Sequence, residues 1–113
     1  MKGARRCLRG YLKFNAKRGK AKEVTNALNN KVMPILRNQF GFVDAIVLTS
    51  TRQPDRLLGL SFWNTREDAE RYNREQYPKV NEILRPMLDA APTVQTFNVD
   101  IFTTHKIAAG KAA

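Results

Sequence analysis

Apolar and polar positions alternate at the start of the chain: Leu8, Leu12 and Phe14 interleave with Arg9, Tyr11 and Lys13. A period of two belongs to a half-buried strand and predicts a first strand over residues 6–15. Beyond the turn Lys17-Arg18-Gly19-Lys20 the period lengthens. Val24, Ala27, Leu28, Val32, Ile35 and Leu36 recur at steps of three and four, the stripe of an amphipathic helix, which predicts a helix over residues 20–39. Pro34 lies inside it, lacks a backbone N–H and clashes one turn back, so a kink is expected there. Gly41 supplies the stop. Residues 42–51 are rich in β-branched side chains and predict a second strand. Residues 51–55 then form a hairpin loop and 56–63 a third strand. Asn64 and Thr65 are each followed three residues later by an acid, the mark of a helix N-cap. Ala69, Tyr72, Gln76, Val80, Ile83, Leu84, Met87 and Leu88 form the inner side of that second helix, which Pro78 divides and Pro92 closes. Residues 93–104 read as a fourth strand. The order β-α-β-β-α-β predicts an α+β ferredoxin-like plait.

The strands also carry information about association. On the third, Leu58, Leu60 and Phe62 oppose Leu57, Gly59, Ser61 and Trp63. On the second, Phe42, Ile46 and Leu48 oppose Val43, Ala45 and Val47. On the fourth, Phe97, Val99 and Ile101 oppose Val94 and Phe102. Two helices cover only one face of a plait, yet both faces are apolar, as in sheets buried on both sides. The uncovered face is therefore expected to meet a second copy across a two-fold axis, giving a homodimer.

Composition narrows the class. The chain has 113 residues, one Cys and one His, enough for one domain (residues 1–107, with a flexible tail at 108–113) and too few ligands for a zinc site or a disulfide framework. No apolar run approaches the ~20 residues of a membrane span, and the N-terminal residues lack a signal-peptide core, so a cytoplasmic location is expected. The net charge of +10 is concentrated at the front, where residues 1–22 hold nine basic side chains and no acid. Such an arm suits solvated flanks of a strand, a nucleic-acid contact or a targeting segment. The Lys/Arg-Gly-Phe-type pattern of RNA-binding plaits is absent from the third strand, which weighs against nucleic acid. Cys7 and the acidic pairs Glu67/Asp68 and Glu70/Glu75 read as passive surface or strand residues. His105, beyond the last strand, is given no role.

Two stretches resemble the antibiotic biosynthesis monooxygenase superfamily of dimeric α+β barrels: residues 32–42 (VMPILRNQFGF) and residues 60–72 (LSFWNTREDAERY). The resemblance covers residues 8–102 and is most specific at Trp63-x-Thr65-x-Glu67-x-Ala69. It implies two plaits packed sheet to sheet, a small cavity between sheet and helices, and oxidation of phenols or quinols with no metal, flavin or other cofactor. A haem-degrading branch of the same fold uses a histidine on the second helix, where this chain has Asn73 and Arg74, and an asparagine on the first strand, where it has Leu12. Haem degradation is thereby disfavoured.

Cofactor-free oxygenation needs a water-excluding pocket with aromatic walls and donors aimed at developing negative charge. Trp63 offers a wall and an N–H, Tyr72 a hydroxyl and Arg74 a positive charge. Gly59 and Ser61 leave room for a ligand, and Leu12 and Phe14 complete the candidate lining. The expected catalytic pair is Trp63 and Tyr72, with Leu12, Phe14, Gly59, Ser61 and Arg74 binding a small aromatic or quinol-type molecule. The alternative is ordinary core packing of Trp63 and Tyr72 in a non-catalytic dimeric ligand-binding or structural protein.

Overall fold

A computed structural model describes residues 7–100, with side chains from Leu12 onward. Strand β1 (Cys7–Asn15) leads into α1 (Ala21–Ala27), a π-helical turn (Leu28–Val32) and α2 (Met33–Arg37). Strands β2 (Phe42–Thr49) and β3 (Arg56–Trp63) form a hairpin. Helices α3 (Arg66–Glu75) and α4 (Tyr77–Leu84) follow, then a 3₁₀ turn (Arg85–Met87) and β4 (Thr93–Gln95). The sheet order is β2-β3-β1-β4, every neighbouring pair antiparallel. This is the ferredoxin-like α+β plait that the sequence predicts.

The kink expected at Pro34 takes the form of the π turn. In an uninterrupted α-helix Pro34 would leave the Asn30 carbonyl without its donor. The π turn instead ends just before α2, and Pro34 falls in that helix's first turn, where a missing N–H costs little. Pro78 plays the same part in α4, and Gln76 (φ −112°, ψ −29°) separates it from α3. Strand β2 stops at Thr49 because the Ser50 hydroxyl accepts from the Arg52 and Gln53 N–H groups, at 3.2 and 3.0 Å, and folds the loop.

Several expected boundaries and faces are corrected. The second helix ends well before Pro92, with Leu88 already extended (φ −107°, ψ 148°). Within the described residues the fourth strand is only Thr93–Gln95, not 93–104. It is an edge segment paired with β1 alone, and all three of its residues are exposed, so little packing supports a longer ladder. A bulge between Phe42 and Asp44 inverts the alternation of β2. Phe42 therefore joins Ala45 and Val47 on the helix side rather than Ile46 and Leu48. A second bulge, between Leu8 and Gly10, sets Leu8 in register with Phe62 and Cys7 with Trp63, so the alternation through Leu12 and Phe14 does not continue back to Leu8. Residues 1–6, the side chain of Cys7, Ile101, Phe102, His105 and the tail at 108–113 lie outside the described residues.

The core fills the space between the sheet and its helices, with Phe14, Leu57, Trp63, Val24, Val80 and Leu84 fully buried. Asp68 is buried too, against the expectation of a solvated surface partner. Thr65 caps α3, its Oγ1 accepting from the Asp68 N–H at 3.1 Å. The Asp68 carboxylate accepts from Arg71 Nη1 at 3.1 Å and fills the space where Gly41 would carry a Cβ. Gly41 has φ +85°, favourable only for glycine, and its carbonyl accepts from the Asn64 N–H at 2.9 Å. Among the described residues no helix packs on the opposite sheet face, where Ile46, Leu58, Leu60 and Phe62 are half-buried and Leu48 is 48% exposed.

Candidate functional site: an apolar cavity between sheet and helices

The strand registers arrange the helix-facing side chains in rows. Val47, Gly59, Leu12 and Val94 form one row; Ala45, Ser61 and Gly10 form the next. The second row consists of small residues, and the sheet cannot fill the volume above it. A cavity of about 40 Å³ results. Its floor includes Leu12, Phe14, Gly59 and Ser61, and its roof Val32, Met33 and Leu36 from the first helical layer and Tyr72, Asn73 and Val80 from the second.

Gly59 leaves less space than its missing side chain suggests. A Cβ there would stand 3.3 Å from Cε2 of Phe14, because the Phe14 ring already leans over it. Trp63 does not line the cavity. It lies beside it, wholly buried, between Phe42 (ring centroids 5.6 Å apart, nearly perpendicular) and Tyr72 (5.3 Å, inclined by 31°). Its Nε1–H donates to Ser61 Oγ at 2.8 Å. The two residues are i and i+2 on one strand, so they share a face and meet without distortion. Ser61 Oγ accepts there, which leaves its own O–H to donate elsewhere.

Tyr72 is 6% exposed, and no described residue hydrogen-bonds its hydroxyl. Burial, reinforced by Tyr77, raises its pKa far above the usual value near 10. It is therefore a neutral donor at any physiological pH. Burial raises Tyr77 in the same direction. Arg74 stands apart: it is exposed, lies 3.6 Å from Glu75 and takes no part in the lining.

Five of the seven expected residues, Leu12, Phe14, Gly59, Ser61 and Tyr72, thus share one cavity, with Trp63 behind Ser61 and Arg74 outside. Asn73, at the place where the haem-degrading branch has its histidine, is a further polar lining residue. Of the wall from the first helix, Val32 and Leu36 belong to the apolar stripe that reads as core, and Met33 lies outside that stripe. Among the described residues, no group of three or more His, Cys, Asp or Glu could hold a metal ion, and no helix is long and apolar enough to cross a membrane.

Fold and cavity together define a ferredoxin-like plait with a small apolar cavity between sheet and helices. The antibiotic biosynthesis monooxygenase family matches residues 11–80, more than half of the chain, and the chain belongs to that family. Solved structures agree in fold. A monooxygenase from Streptomyces coelicolor (gene ActVA-Orf6), in complex with the ligand Nanaomycin D, is 17% identical with a TM-score of 0.67, over 87% of this chain and 91% of that one. A conserved protein from Methanosarcina mazei is 19% identical with a TM-score of 0.69, over 84% and 93%. A protein of unknown function from Nitrosomonas europaea is 13% identical with a TM-score of 0.74, over 90% and 97%. No curated protein matches the sequence.

Proposed function

We propose that this protein is a cofactor-independent monooxygenase acting on an aromatic or quinol-type small molecule, and that it works as a cytoplasmic homodimer. The observation that carries the reading is the cavity itself, apolar except for a few polar groups, among them the hydroxyls of Ser61 and Tyr72. The Streptomyces monooxygenase of the same fold is in complex with a ligand, Nanaomycin D, which supports a small-molecule substrate here.

In this reading the substrate supplies all the electrons. A phenolic ring, deprotonated to its oxyanion, reacts with dioxygen at a ring carbon bearing two hydrogens in its keto form. One oxygen atom becomes a carbonyl on that carbon, and the other leaves as water with the two hydrogens. The protein's part is to hold the ring away from water and to stabilise the oxyanion. Tyr72 donates directly, and Ser61 donates with its orientation fixed by Trp63. Donors of this kind, in place before charge develops, typically contribute about 2.7–4 kcal/mol each. An aromatic ring needs a cavity on the order of 150 Å³, so the roof moves outward on binding. The π turn Leu28–Val32 supplies part of that roof through Leu28 and Val32 and departs from regular helical geometry, as helical segments at functional sites often do.

The test is oxygen consumption with a panel of quinols and polycyclic phenols. Wild type should turn over at least one; Tyr72→Phe should slow it by roughly 100- to 1,000-fold, and Trp63→Phe, which acts only by freeing the Ser61 hydroxyl to turn, should slow it by less. Unchanged turnover in both variants would remove the site assignment. No turnover by wild type would favour the second reading, a non-catalytic dimeric binding or structural protein, for which the small cavity volume is the supporting observation.

A further inference from the structure

We propose a second binding site, separate from the cavity above, in the cleft between the β1–α1 turn and the α4–β4 connection. Its ligand is a small anion that also carries hydroxyl groups, a sugar phosphate or a hydroxycarboxylate. The cleft encloses about 420 Å³, within the range of small-molecule sites and ten times the volume beneath the helices.

Its walls are tied by backbone rather than by surface side chains. The Lys17 N–H donates to the Met87 carbonyl at 2.9 Å, and the Asp89 N–H to the Asn15 carbonyl at 2.7 Å. Ala16 and Leu88 bridge the two segments and are both buried. The cleft is thus held open before any ligand arrives, which lowers the ordering cost of binding.

The lining sets the ligand chemistry. Lys17 comes from one wall and Arg85 from the other. Neither is paired with an acid among the described residues, whereas the neighbouring Lys20 is tied to Glu23 at 3.3 Å. Two unpaired cations across a concave surface suit a compact phosphate or carboxylate, with arginine offering its planar pair of donors. Asn81 and Asp89 share the cleft. Asp89 repels a bare anion but accepts from a hydroxyl, so it favours a ligand whose anionic group lies at one end and whose hydroxyls lie at the other. The same carboxylate weighs against a nucleic-acid backbone, which presents phosphates on every side. Lys17 of the basic turn, which the proposed oxygenase chemistry does not use, acquires a role in this way.

Calorimetric titration and amide NMR at fixed ionic strength, with ribose 5-phosphate and with citrate, test the proposal. At least one should bind saturably and shift the amides of Lys17, Arg85 and residues 87–89. Which one binds identifies the anion. Lys17→Gln and Arg85→Gln, both at exposed positions, should each weaken binding about 10-fold, the loss of one charge-assisted contact. Asp89→Asn should tighten inorganic phosphate but not the hydroxylated ligand. Oxygen consumption by the two Gln variants should equal that of wild type, which keeps this site distinct from the first. Absence of saturable binding by either compound, or binding unchanged in both Gln variants, would overturn the proposal.

Discussion

The Ser61 hydroxyl accepts the one hydrogen bond made by a fully buried indole. Ser61→Ala would leave the Trp63 N–H in the core with no acceptor, at a cost of about 1–3 kcal/mol. Urea unfolding should show that loss as a lower midpoint at unchanged slope. A midpoint equal to wild type would mean that water reaches the indole. At this scale the sequence is informative about faces and less so about partners. Alternation places Gly59, Ser61 and Trp63 together on the helix side, and helical spacing points Tyr72 at them. Alternation does not show that the Trp63 N–H ends on Ser61 rather than in the cavity. Asn73 is hidden for a different reason: which residue beside Tyr72 faces the cavity depends on how α3 is rotated over the sheet, a property of packing between layers.

Helices and strands here meet at a few points where one residue serves two elements. Gly41 ends the first helical layer, starts the approach to β2 and makes room for the buried Asp68 of α3. Gly41→Ala combines the penalty of a positive φ, about 1–2 kcal/mol, with overpacking against the carboxylate, about 1–3 kcal/mol. A combined destabilisation of about 2–5 kcal/mol is expected by thermal or urea unfolding, and a variant as stable as wild type would contradict the contact. Glycine at position 41 reads from sequence as a helix stop, which it is. The second duty is invisible locally because Asp68 lies 27 residues further on. Bulges are illegible for a related reason. The inserted residue near Val43 changes the phase of β2 without any glycine or proline to mark it, so an unbroken alternation put Phe42 on the wrong face.

At the scale of the whole molecule, the sheet face that no described helix covers is the feature on which the proposed dimer rests. Its central strand presents Leu58, Leu60 and Phe62, and the proposed dimer covers them. Phe62→Asp would put a carboxylate in that interface, in register with Asp44 on the neighbouring strand. Like charges across a strand pair repel, and an interfacial charge must be desolvated. Sedimentation should give a dimer for wild type and a monomer or insoluble protein for the variant, while a soluble dimeric variant would show that the partner binds elsewhere. The plait itself was legible because its evidence is distributed: each change of period, cap and proline points to the same order of elements. The extent of β4 was not, since an edge strand depends on a single neighbour.

The aromatic arrangement at the site has one further consequence, a spectroscopic one. The chain contains a single tryptophan, and that residue lies beside the cavity, shielded from solvent and against the Tyr72 ring. Its fluorescence therefore comes from one place. Emission should be blue-shifted in the folded protein, Tyr72 should pass its excitation to the indole, and a ring entering the cavity should alter the signal without any label. Binding to the basic cleft, on the far side of the core, should leave that emission unchanged, so the lone indole reports which of the two sites a compound has reached.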